Sequence, residues 1–478
     1  MERVLAGLAP ERVWHYFEEI SAIPRGSGNE KGIADYLEAF GKARGYETYH
    51  DAIHNVLIRK PASAGCEGVP ALLLQGHTDI VCEKNADVAH DFRTDPIKLV
   101  VEDGWITADG TTLGADNGMA VAYMLAALED DALRHPVLEC LFTAQEEVGL
   151  DGAKAFDGSL ITARRMVNMD CGGEGVITVS CAGGMRVDLS RKMSMLPFSG
   201  QALRIFVTGL AGGHSGGQID KYLGNSNRIM GRVLAVLSDV CVASIEGGSK
   251  DNAIPRECEA VVAVPCIDCA KKEIARMEQI IRAELGEADR EFAIVAEPVQ
   301  APQRMASPED TRRLWQLLCL AFNGVQAMSH SIEGLVDASC NMGVIHMEGD
   351  TVTVSFSPRA SMESLNDESQ MRLEILAEVM GFSFDCRSRY PGWSFVKDSP
   401  LRDLLCRIYR EQTGKEMELK AVHGGLECGI LLSKVPGLDI VAIGPDAEGA
   451  HSPDERVNIA SAERTWNFVR AIIEHCAE

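Results

Sequence analysis

Short apolar runs that end just before a histidine or an acid constrain the fold of this chain more than any other feature. They cover residues 71–74, 138–142, 166–167 and 440–443. Runs this short, separated by longer segments with apolar residues at helical spacing, are typical of buried strands in an α/β fold. Because ligands collect beyond the carboxyl ends of the strands in such a sheet, we expect the polar residues that follow these runs to line one crevice.

Two histidines and several acids lie at these strand ends or at the start of the apolar helix 119–128. They are His77, Asp79, Asp116, Glu146, Glu147, Asp170 and His451. Imidazole nitrogens and carboxylate oxygens together suit zinc or a similar divalent ion. The set holds more acids than one metal ion needs, and burying so many carboxylates without a cation is strongly unfavourable. The sequence therefore predicts two divalent metal ions that share a carboxylate.

The spacing of these residues indicates what chemistry they support. Asp79 lies two residues after His77, so its carboxylate can accept the second imidazole N–H and fix the tautomer of a metal ligand. Glu146 and Glu147 are adjacent and point to opposite sides of an extended chain, so one can bind metal while the other holds a water. A metal ion lowers the pKa of such a water, and a nearby carboxylate completes its activation. This arrangement predicts hydrolysis of a carbonyl compound.

A plain structural interpretation competes with each of these assignments. A lone histidine after a strand is more often a hydrogen-bonded structural residue, and a single Glu-Glu pair is usually solvated surface. Here the neighbouring residues are apolar rather than surface-like, which favours the metal site. No dinucleotide fingerprint followed by a helix is present, and no GxSxG nucleophile elbow joins a predicted strand directly to a helix, so redox and serine-hydrolase chemistry are not predicted.

Composition limits the partners of the chain. With 478 residues it exceeds the usual size of one core, so two domains are expected. A formal charge of −24 argues against nucleic acid and anionic membrane surfaces as partners. No run of about 18 apolar residues predicts a membrane span, and the first residues lead into an amphipathic helix rather than a signal peptide. We expect a cytoplasmic protein.

The fifteen cysteines are scattered and lie mostly in apolar runs, as free cysteines do when they pack as small hydrophobes. Cys266 and Cys269 form the one CxxC motif, which without a second pair or a nearby histidine is a weak zinc or redox signal. Reduced thiols throughout, as in a cytosolic protein, are the simpler expectation.

Helix and strand patterns alternate over the first 186 residues, with Ser27 predicted to cap a helix over residues 30–44. This alternation predicts an α/β domain with a mainly parallel sheet. From 187 to 399 the order strand, helix, strand, strand, helix, strand occurs apparently twice, which indicates a duplicated α+β insertion. Because His451 must return to the first crevice, we predict a discontinuous catalytic domain, 1–186 and 400–478, with a lid or dimerisation-type domain over 187–399.

Three motifs make the chain resemble a known superfamily over nearly its whole length. They are Gln75-Gly76-His77-Thr78-Asp79-Ile80-Val81, Leu113-Gly114-Ala115-Asp116-Asn117-Gly118 and His423-Gly424-Gly425-Leu426-Glu427-Cys428-Gly429. The chain resembles the aminoacylase/carboxypeptidase/dipeptidase superfamily of co-catalytic zinc peptidases, whose order HxD, D(N/D), EE, (D/E), H it carries, and within it the bacterial aminoacyl-histidine dipeptidases. The resemblance implies a phosphorylase/hydrolase-like zinc-peptidase domain and two metal ions, most often Zn²⁺, with Mn²⁺ or Co²⁺ as alternatives.

The resemblance also implies a role for each residue of the cluster. His77 and Asp170 would bind one metal ion, Glu147 and His451 the other, and Asp116 would bridge them with a cis peptide to Asn117. Glu146 would act as general base and then acid, and Asp79 would orient His77. An aspartate at position 170 resembles peptidases that act on a free N-terminal amine, whereas glutamate is more typical of deacylases and carboxypeptidases.

Substrate contacts are implied for the inserted domain. His214, in Gly212-Gly213-His214-Ser215-Gly216-Gly217, resembles the histidine that donates to the oxyanion, and Arg359 resembles the arginine that pairs with the substrate carboxylate. Asn252 would contact a substrate carbonyl or the oxyanion, although Asn341 occupies the usual position upstream of Arg359, so the choice between the two stays open. Gly424 and Gly425 would offer backbone N–H groups to the carboxylate.

The sequence thus predicts a metallo-dipeptidase that cleaves unblocked dipeptides, Xaa-His dipeptides such as β-Ala-His among them. An N-acyl-amino-acid deacylase on the same scaffold is the alternative among enzymes, and a catalytically silent metal- or peptide-binding protein is the alternative outside them. Glu146 argues against a silent binder, because binding alone needs no base. A homodimer through the inserted domain is also predicted, as is a hinge near residues 187 and 400 for turnover. Whether His214 acts within its own chain or across a dimer stays open.

Overall fold

A computed structural model describes residues 3–170 and 172–478 of the chain. These residues divide into two compact units. Unit 1 comprises the described residues up to Ser180 together with Trp393–Ala421 and Leu426–Glu478, and unit 2 comprises Cys181–Gly392 and Val422–Gly425. The chain passes from unit 1 to unit 2 before residue 187, because the strand that begins at Gly183 already belongs to the sheet of unit 2. It returns to unit 1 before residue 400, at Trp393.

The helices and strands are numbered in chain order. The helices are α1 (Glu11–Ser21), α2 (Lys31–Ala43), α3 (Ala115–Glu129), α4 (Asp151–Ala155), α5 (Ser226–Val236), α6 (Ile267–Glu284), α7 (Pro308–Leu320), α8 (Glu363–Met380), α9 (Pro400–Thr413), α10 (Glu427–Lys434) and α11 (Ile459–His475). The strands are β1 (Glu47–His50), β2 (Val56–Lys60), β3 (Leu72–His77), β4 (Leu99–Glu102), β5 (Trp105–Ala108), β6 (Leu138–Thr143), β7 (Arg165–Asn168), β8 (Val176–Cys181), β9 (Gly183–Lys192), β10 (Met195–Pro197), β11 (Gln201–Thr208), β12 (Gly213–His214), β13 (Cys241–Gly247), β14 (Ala253–Ile254), β15 (Cys258–Val264), β16 (Ala293–Pro298), β17 (Arg304–Ala306), β18 (Gly324–Met328), β19 (Val336–Glu348), β20 (Thr351–Ala360), β21 (Ser383–Tyr390), β22 (Glu418–Val422), β23 (Asp439–Ala442), β24 (Ala447–Glu448) and β25 (Arg456–Asn458).

Unit 1 is built on an eight-stranded sheet in the order β1-β2-β6-β3-β7-β23-β8-β22. The central strands β6, β3, β7 and β23 are parallel, and antiparallel pairings flank them. The central strands are almost completely buried, as their apolar sequences require for a sheet covered on both faces. The predicted α/β fold with a mainly parallel sheet is confirmed in this central part, and its parallel strands end on the same edge.

Helix α3 brings Asp116 to that edge. It is apolar and buried along most of its length, and it packs against β3 and α1. Its first residues depart from helical geometry, and the Asp116–Asn117 peptide bond is cis, as the resemblance implied. Helix α2 begins after residue 30 without a side-chain cap, so the prediction that Ser27 caps it is wrong. The Ser27 hydroxyl donates instead to the Asp79 carboxylate, 2.7 Å away.

Unit 2 contains a nine-stranded sheet in the order β16-β11-β15-β13-β19-β20-β9-β21, with β18 added beside β19. The helices α5 to α8 pack on this sheet through apolar side chains such as Val233, Ile274, Leu317 and Leu373, all of them buried. The ribbon formed by β12 and β14 lies outside the sheet. It carries two of the predicted substrate residues, His214 and Asn252, on and beside its strands.

Cys266 and Cys269 are joined by a disulfide at the start of α6, so the expectation of reduced thiols throughout is wrong for this pair. Two intervening residues at a helix start place their Cα atoms 5.3 Å apart, within the usual range for a disulfide. No disulfide joins any other pair of cysteines within the described ranges. Among the helices of residues 3–170 and 172–478, none combines the length and the apolar character that crossing a membrane would require.

Candidate metal centre and active site

His77 is the last residue of β3, and its imidazole is buried among carboxylates. Its Nε2 lies 3.1 Å from Oδ1 of Asp116 and 3.4 Å from Oδ1 of Asp170. Its Nδ1 lies 3.0 Å from the backbone carbonyl of Asp79. Because that carbonyl can only accept, Nδ1 carries a proton, and when Nε2 gives up its own proton the imidazole is left in its Nδ1–H tautomer. This is the tautomer that a metal ligand needs.

Asp116 stands between two groups of ligand atoms. Its Oδ1 faces His77, and its Oδ2 lies 3.3 Å from Nε2 of His451. His451 Nε2 also lies 3.0 Å from Oε1 of Glu147. One group therefore contains His77, Asp116 and Asp170, and the other contains Asp116, Glu147 and His451, with the ligand atoms of each within 4.8 Å of one another. Each oxygen of Asp116 belongs to a different group, which is the geometry of a bridging carboxylate.

The donor set fits two divalent ions. Each group offers one imidazole nitrogen and two carboxylates, a mixture suited to zinc and similar metals. Oε1 of Glu147 is buried beside the imidazole of His451, 3.0 Å from its Nε2, and burying a carboxylate oxygen is costly unless a cation compensates. The predicted ligands His77, Asp116, Glu147, Asp170 and His451 are thus brought together in unit 1.

Asp79 makes more contacts than the single one with His77 that their two-residue separation predicts. Its carboxylate lies 3.5 Å from Nδ1 of His77, farther than the backbone carbonyl. The carboxylate instead accepts the backbone N–H groups of Glu146 and Glu147, at 3.0 and 3.2 Å, and the Ser27 hydroxyl. Asp79 therefore fixes the loop that carries both glutamates, while its backbone carbonyl orients the imidazole of His77.

Burial raises the pKa of Glu146 well above the usual range, and the nearby carboxylates of Asp170, Glu427 and Glu147 add to the effect while His77 opposes it. A carboxylate with a raised pKa accepts a proton more readily and can return it later in a reaction cycle. Its backbone is held by Asp79, and it lies beside the two ligand groups, as shown by its proximity to His77 and Glu147. Glu146 has the position and the environment of a proton-transfer group.

The histidines and acids of the two groups shift one another's titration strongly. Hydrogen bonds to Asp116 and Glu147 raise the pKa of His451 to about 10. Burial raises the pKa of Asp170 to about 6, although His77 opposes this. Burial opposes protonation of His77, but Asp170, Asp116 and Asp79 outweigh it and raise its pKa. Such excess negative charge around two imidazoles is what a bound cation would neutralise.

A buried polar network that the sequence did not reveal supports the strand ends. Glu427, at the start of α10, accepts from Thr143 Oγ1 at 2.6 Å and from Gln75 Nε2 at 2.5 Å. Oε1 of Gln75 accepts from Asn168 at 2.6 Å. These contacts tie β6, β3 and β7 together directly beneath the ligand loops. Burial raises the pKa of Glu427 to about 7. The sequence offered one indication that Glu427 is buried, which is its position among apolar residues in the motif at residues 423–429.

Unit 2 places His214 and Asn252 on one ribbon. His214 pairs with Ala253 in the β12–β14 register, and the Ser215 N–H donates to the Asn252 carbonyl at 2.9 Å. The buried amide of Asn341 donates to the carbonyls of Asp251 and Ala253, both at 2.8 Å. Both N–H groups of Asn341 are therefore used to hold the backbone on either side of Asn252, whose own side chain is half-buried.

Arg359, near the end of β20, is buried and donates to the Tyr390 hydroxyl at 3.2 Å. A side chain at Gly425 would come within 2.9 Å of the Tyr390 ring, so this glycine allows a close approach. His423 lies close enough to Arg359 to be affected by its charge, and its Nε2 is 2.7 Å from Ser339 Oγ. Burial and the Arg359 guanidinium lower the pKa of His423 to about 4. Burial and Arg359 also lower the pKa of His214. Arg359 and Gly425 are thus brought together through Tyr390, while Gly424 stands one residue before Gly425.

Comparison with known proteins finds similarity over almost the whole chain. Residues 73–475 match peptidase family M20/M25/M40. The chain is 35% identical to the cytosol non-specific dipeptidase of Escherichia coli (strain K12) over 479 aligned positions, which cover 98% of each sequence.

The fold is similar to that of solved structures. The crystal structure of the aminoacylhistidine dipeptidase from Vibrio alginolyticus superposes with a TM-score of 0.92 at 33% identity, covering 98% of both chains. The aminopeptidase PepT from Bacillus cereus superposes with a TM-score of 0.57 at 19% identity, covering 98% of this chain and 100% of that one. The second likeness shows the fold alone.

Proposed function

This chain belongs to peptidase family M20/M25/M40 and is a hydrolase, and we propose that it is a two-metal dipeptidase acting on unblocked dipeptides, Xaa-His dipeptides such as β-Ala-His among them. The observation that carries the proposal is the position of Asp116, whose two oxygens face His77 and His451 separately. The dipeptidase names of the Escherichia coli and Vibrio alginolyticus relatives support the same substrate class.

His77 and Asp170 would hold one divalent ion, Glu147 and His451 the other, and Asp116 both. Zinc is the ion we expect, with manganese or cobalt as alternatives. When bound, the two ions would polarise the scissile carbonyl and lower the pKa of a water. Glu146 takes the proton of the attacking water and delivers it to the leaving amine, a transfer that its raised pKa favours. Asp79 holds Glu146 and Glu147 in place through their backbone N–H groups.

Unit 2 supplies the groups that recognise the ends of the substrate. Arg359 would pair with the α-carboxylate, assisted by the backbone N–H groups of Gly424 and Gly425. His214 would donate to the oxyanion, and because burial and Arg359 lower its pKa, it would do so as a neutral donor at neutral pH. Asn252 would contact the substrate carbonyl or the oxyanion, since both amide N–H groups of Asn341 already donate to backbone carbonyls.

The substrate class is tested by one set of assays on the purified protein with its metals. We expect release of histidine from Gly-His and β-Ala-His, and little release from N-acetyl-His, which lacks a free amine. Preference for N-acetyl-His would instead identify a deacylase. Tight metal and peptide binding without turnover of any of the three compounds would identify a silent binding protein.

We also infer that unit 2 is a duplicated lid. The strand order β16-β11-β15-β13 is repeated as β21-β9-β20-β19 across the sheet. One half runs β11, α5, β13, β15, α6, β16 and the other β9, α7, β19, β20, α8, β21, with β9 preceding the first half in the chain and the short strands β10, β12, β14, β17 and β18 outside the pattern. In a duplicated lid both halves belong to one chain, so His214 could act at the active site of its own chain.

A homodimer through unit 2 is part of the same proposal, and so is a cytoplasmic location. Met371, Ile375 and Val379 form an exposed apolar stripe on one face of α8, of the kind that marks protein–protein contacts. Ile375→Glu should therefore convert a dimer into a monomer in light scattering after gel filtration. A wild-type protein that elutes as a monomer at micromolar concentration would rule out the dimer.

A further inference from the structure

Glu455 lies four residues after His451 and is almost completely buried. Its Oε2 accepts the backbone N–H groups of Leu113 and Gly114, both at 2.8 Å, and its Oε1 accepts the N–H of Asp116 at 3.0 Å. One carboxylate therefore binds three donors of the turn that carries Asp116. The segment that provides His451 is in this way tied to the segment that provides the shared carboxylate.

Arg25 binds a backbone carbonyl group of the same turn and one just after β3. Its guanidinium is buried and donates from Nη2 to the Gly114 carbonyl at 2.7 Å and from Nη1 to the Thr78 carbonyl at 2.8 Å. Thr78 stands between His77 and Asp79, so the arginine ties the end of β3 to the Asp116 turn. Its charge also faces the carboxylates of Glu455, Asp79 and Asp116.

The glycines of the turn make room for Arg25. A Cβ atom at Gly114 would come within 2.8 Å of Nη2 of Arg25, and one at Gly118 within 2.6 Å. Gly114 also has a φ of +73°, a left-handed conformation that glycine adopts without strain. The two glycines that flank Asp116, Gly114 and Gly118, therefore leave the space that the guanidinium of Arg25 occupies.

We propose that Glu455 and Arg25 are positioning residues that together fix the Asp116 turn, and thereby the relative position of the two metal ions. The inference rests on the proposed two-metal site. Neither side chain is among the assigned ligands, and both hydrogen-bond the backbone of residues 78, 113, 114 and 116. Because Asp116 serves both ions, loosening its turn should weaken both sites together rather than one of them.

The test uses Glu455→Gln, in which an amide –NH₂ must face at least one of the three backbone N–H groups. Glu139→Gln is the matched control, because Glu139 is also a buried carboxylate that accepts backbone N–H groups, those of Thr162 and Ala163, near the opposite end of β6. Zinc affinity is measured by competition with a chromogenic chelator, and the thermal midpoint of each metal-free protein is recorded alongside.

Glu455→Gln should lose zinc affinity at both sites by about 10- to 100-fold, the usual effect of removing a group that supports metal ligands. Glu139→Gln should keep wild-type affinity even if its metal-free midpoint falls as far. Arg25→Lys provides a second variant should Glu455→Gln fail to fold, and it should also weaken both sites, because a single nitrogen then replaces the two that donate to separate carbonyls.

Wild-type zinc affinity in both Glu455→Gln and Arg25→Lys would overturn the inference, and so would equal losses of affinity in Glu455→Gln and Glu139→Gln. These outcomes are distinct from failure of the proposed function. If the wild-type protein itself bound no zinc, or bound two ions without hydrolysing any dipeptide, the proposed function would be refuted by the wild-type data alone.

Discussion

Asp79→Asn is the substitution that separates most clearly the observed role of Asp79 from a simple partnership with His77. The carboxylate accepts from Glu146 N–H on Oδ1, and from Glu147 N–H and Ser27 on Oδ2. Asparagine keeps one oxygen, so its –NH₂ group must face one of the two backbone N–H groups. The imidazole of His77 keeps its nearer acceptor, the backbone carbonyl of residue 79.

The expected cost follows from the bond that is lost. A hydrogen bond to a charged group contributes about 1.5–3 kcal/mol, and each 1.4 kcal/mol is a factor of about ten. We therefore expect kcat/KM for Gly-His to fall by about 10- to 100-fold in Asp79→Asn. Since the loop carries Glu147 as well as Glu146, zinc affinity should fall at the site of Glu147 and His451 more than at the site of His77 and Asp170.

Asp439→Asn is the control for this experiment. Asp439 accepts a serine hydroxyl, from Ser399 at 2.6 Å, and a backbone N–H, from Leu401 at 2.9 Å, but it lies at the start of β23, away from the ligand loops. It should lower the unfolding midpoint while kcat/KM stays within about twofold of wild type. Unchanged activity in Asp79→Asn, or an equal loss in Asp439→Asn, would refute the assigned role of Asp79.

Three further predictions concern unit 2. His214→Ala should lower kcat by about 10²- to 10³-fold, the usual cost of an oxyanion donor, with little change in KM in steady-state kinetics; a change confined to KM would contradict the role. Arg359→Lys should raise KM for Gly-His by about tenfold, because lysine cannot form a two-pronged contact, while hydrolysis of glycyl-histidinamide should hardly change. His423 has its pKa lowered from 6.5 to about 4, so between these pH values the unfolded chain binds a proton that the native protein does not. Its contribution to stability is complete above pH 6.5 and is lost as the pH falls, by about 3 kcal/mol in all, and His423→Gln should remove that slope from urea unfolding measured between pH 4 and 6.5; an unchanged slope would contradict the assignment.

The location of the proposed metal ligands could be predicted from the sequence because each one follows a buried strand or opens a buried helix. Apolar runs such as residues 71–74 and 138–142 are long enough for a strand and too short for a helix, and parallel strands deliver their ends to one edge. The family motif then divided the acids into ligands and base. The buried side chains that hold these residues in place could not be predicted.

That support could not be read from spacing, because it joins side chains to the backbone of distant segments. Glu455 acts on a turn more than 300 residues earlier in the chain, and Arg25 acts through two carbonyl groups. A lone arginine or glutamate carries no periodic signal, so neither could be distinguished from a solvated residue. The disulfide at Cys266 was missed for a related reason, since a single CxxC motif fits several structures.

One strand could have been found and was not predicted. Residues 336–342 alternate apolar and polar side chains, with Asp337, Ser339 and Asn341 on one face, which is the pattern of a strand. In the structure these polar residues of β19 are buried, and they bind Ser361, His423 and the backbone beside Asn252. A polar strand face is typical of solvated surface, whereas this one is buried and supports the predicted substrate residues.

Glu146→Gln, compared with wild type for bound metal and for dipeptide hydrolysis, tests the central claim most directly. Glutamine preserves the size of the side chain and removes its ability to take a proton, so we expect two bound metal ions in both proteins. Hydrolysis of Gly-His by the variant should fall by about 10²- to 10⁴-fold, the range attributed to general acid–base catalysis. Turnover within tenfold of wild type with both ions bound would show that Glu146 is not the base, and would contradict the account.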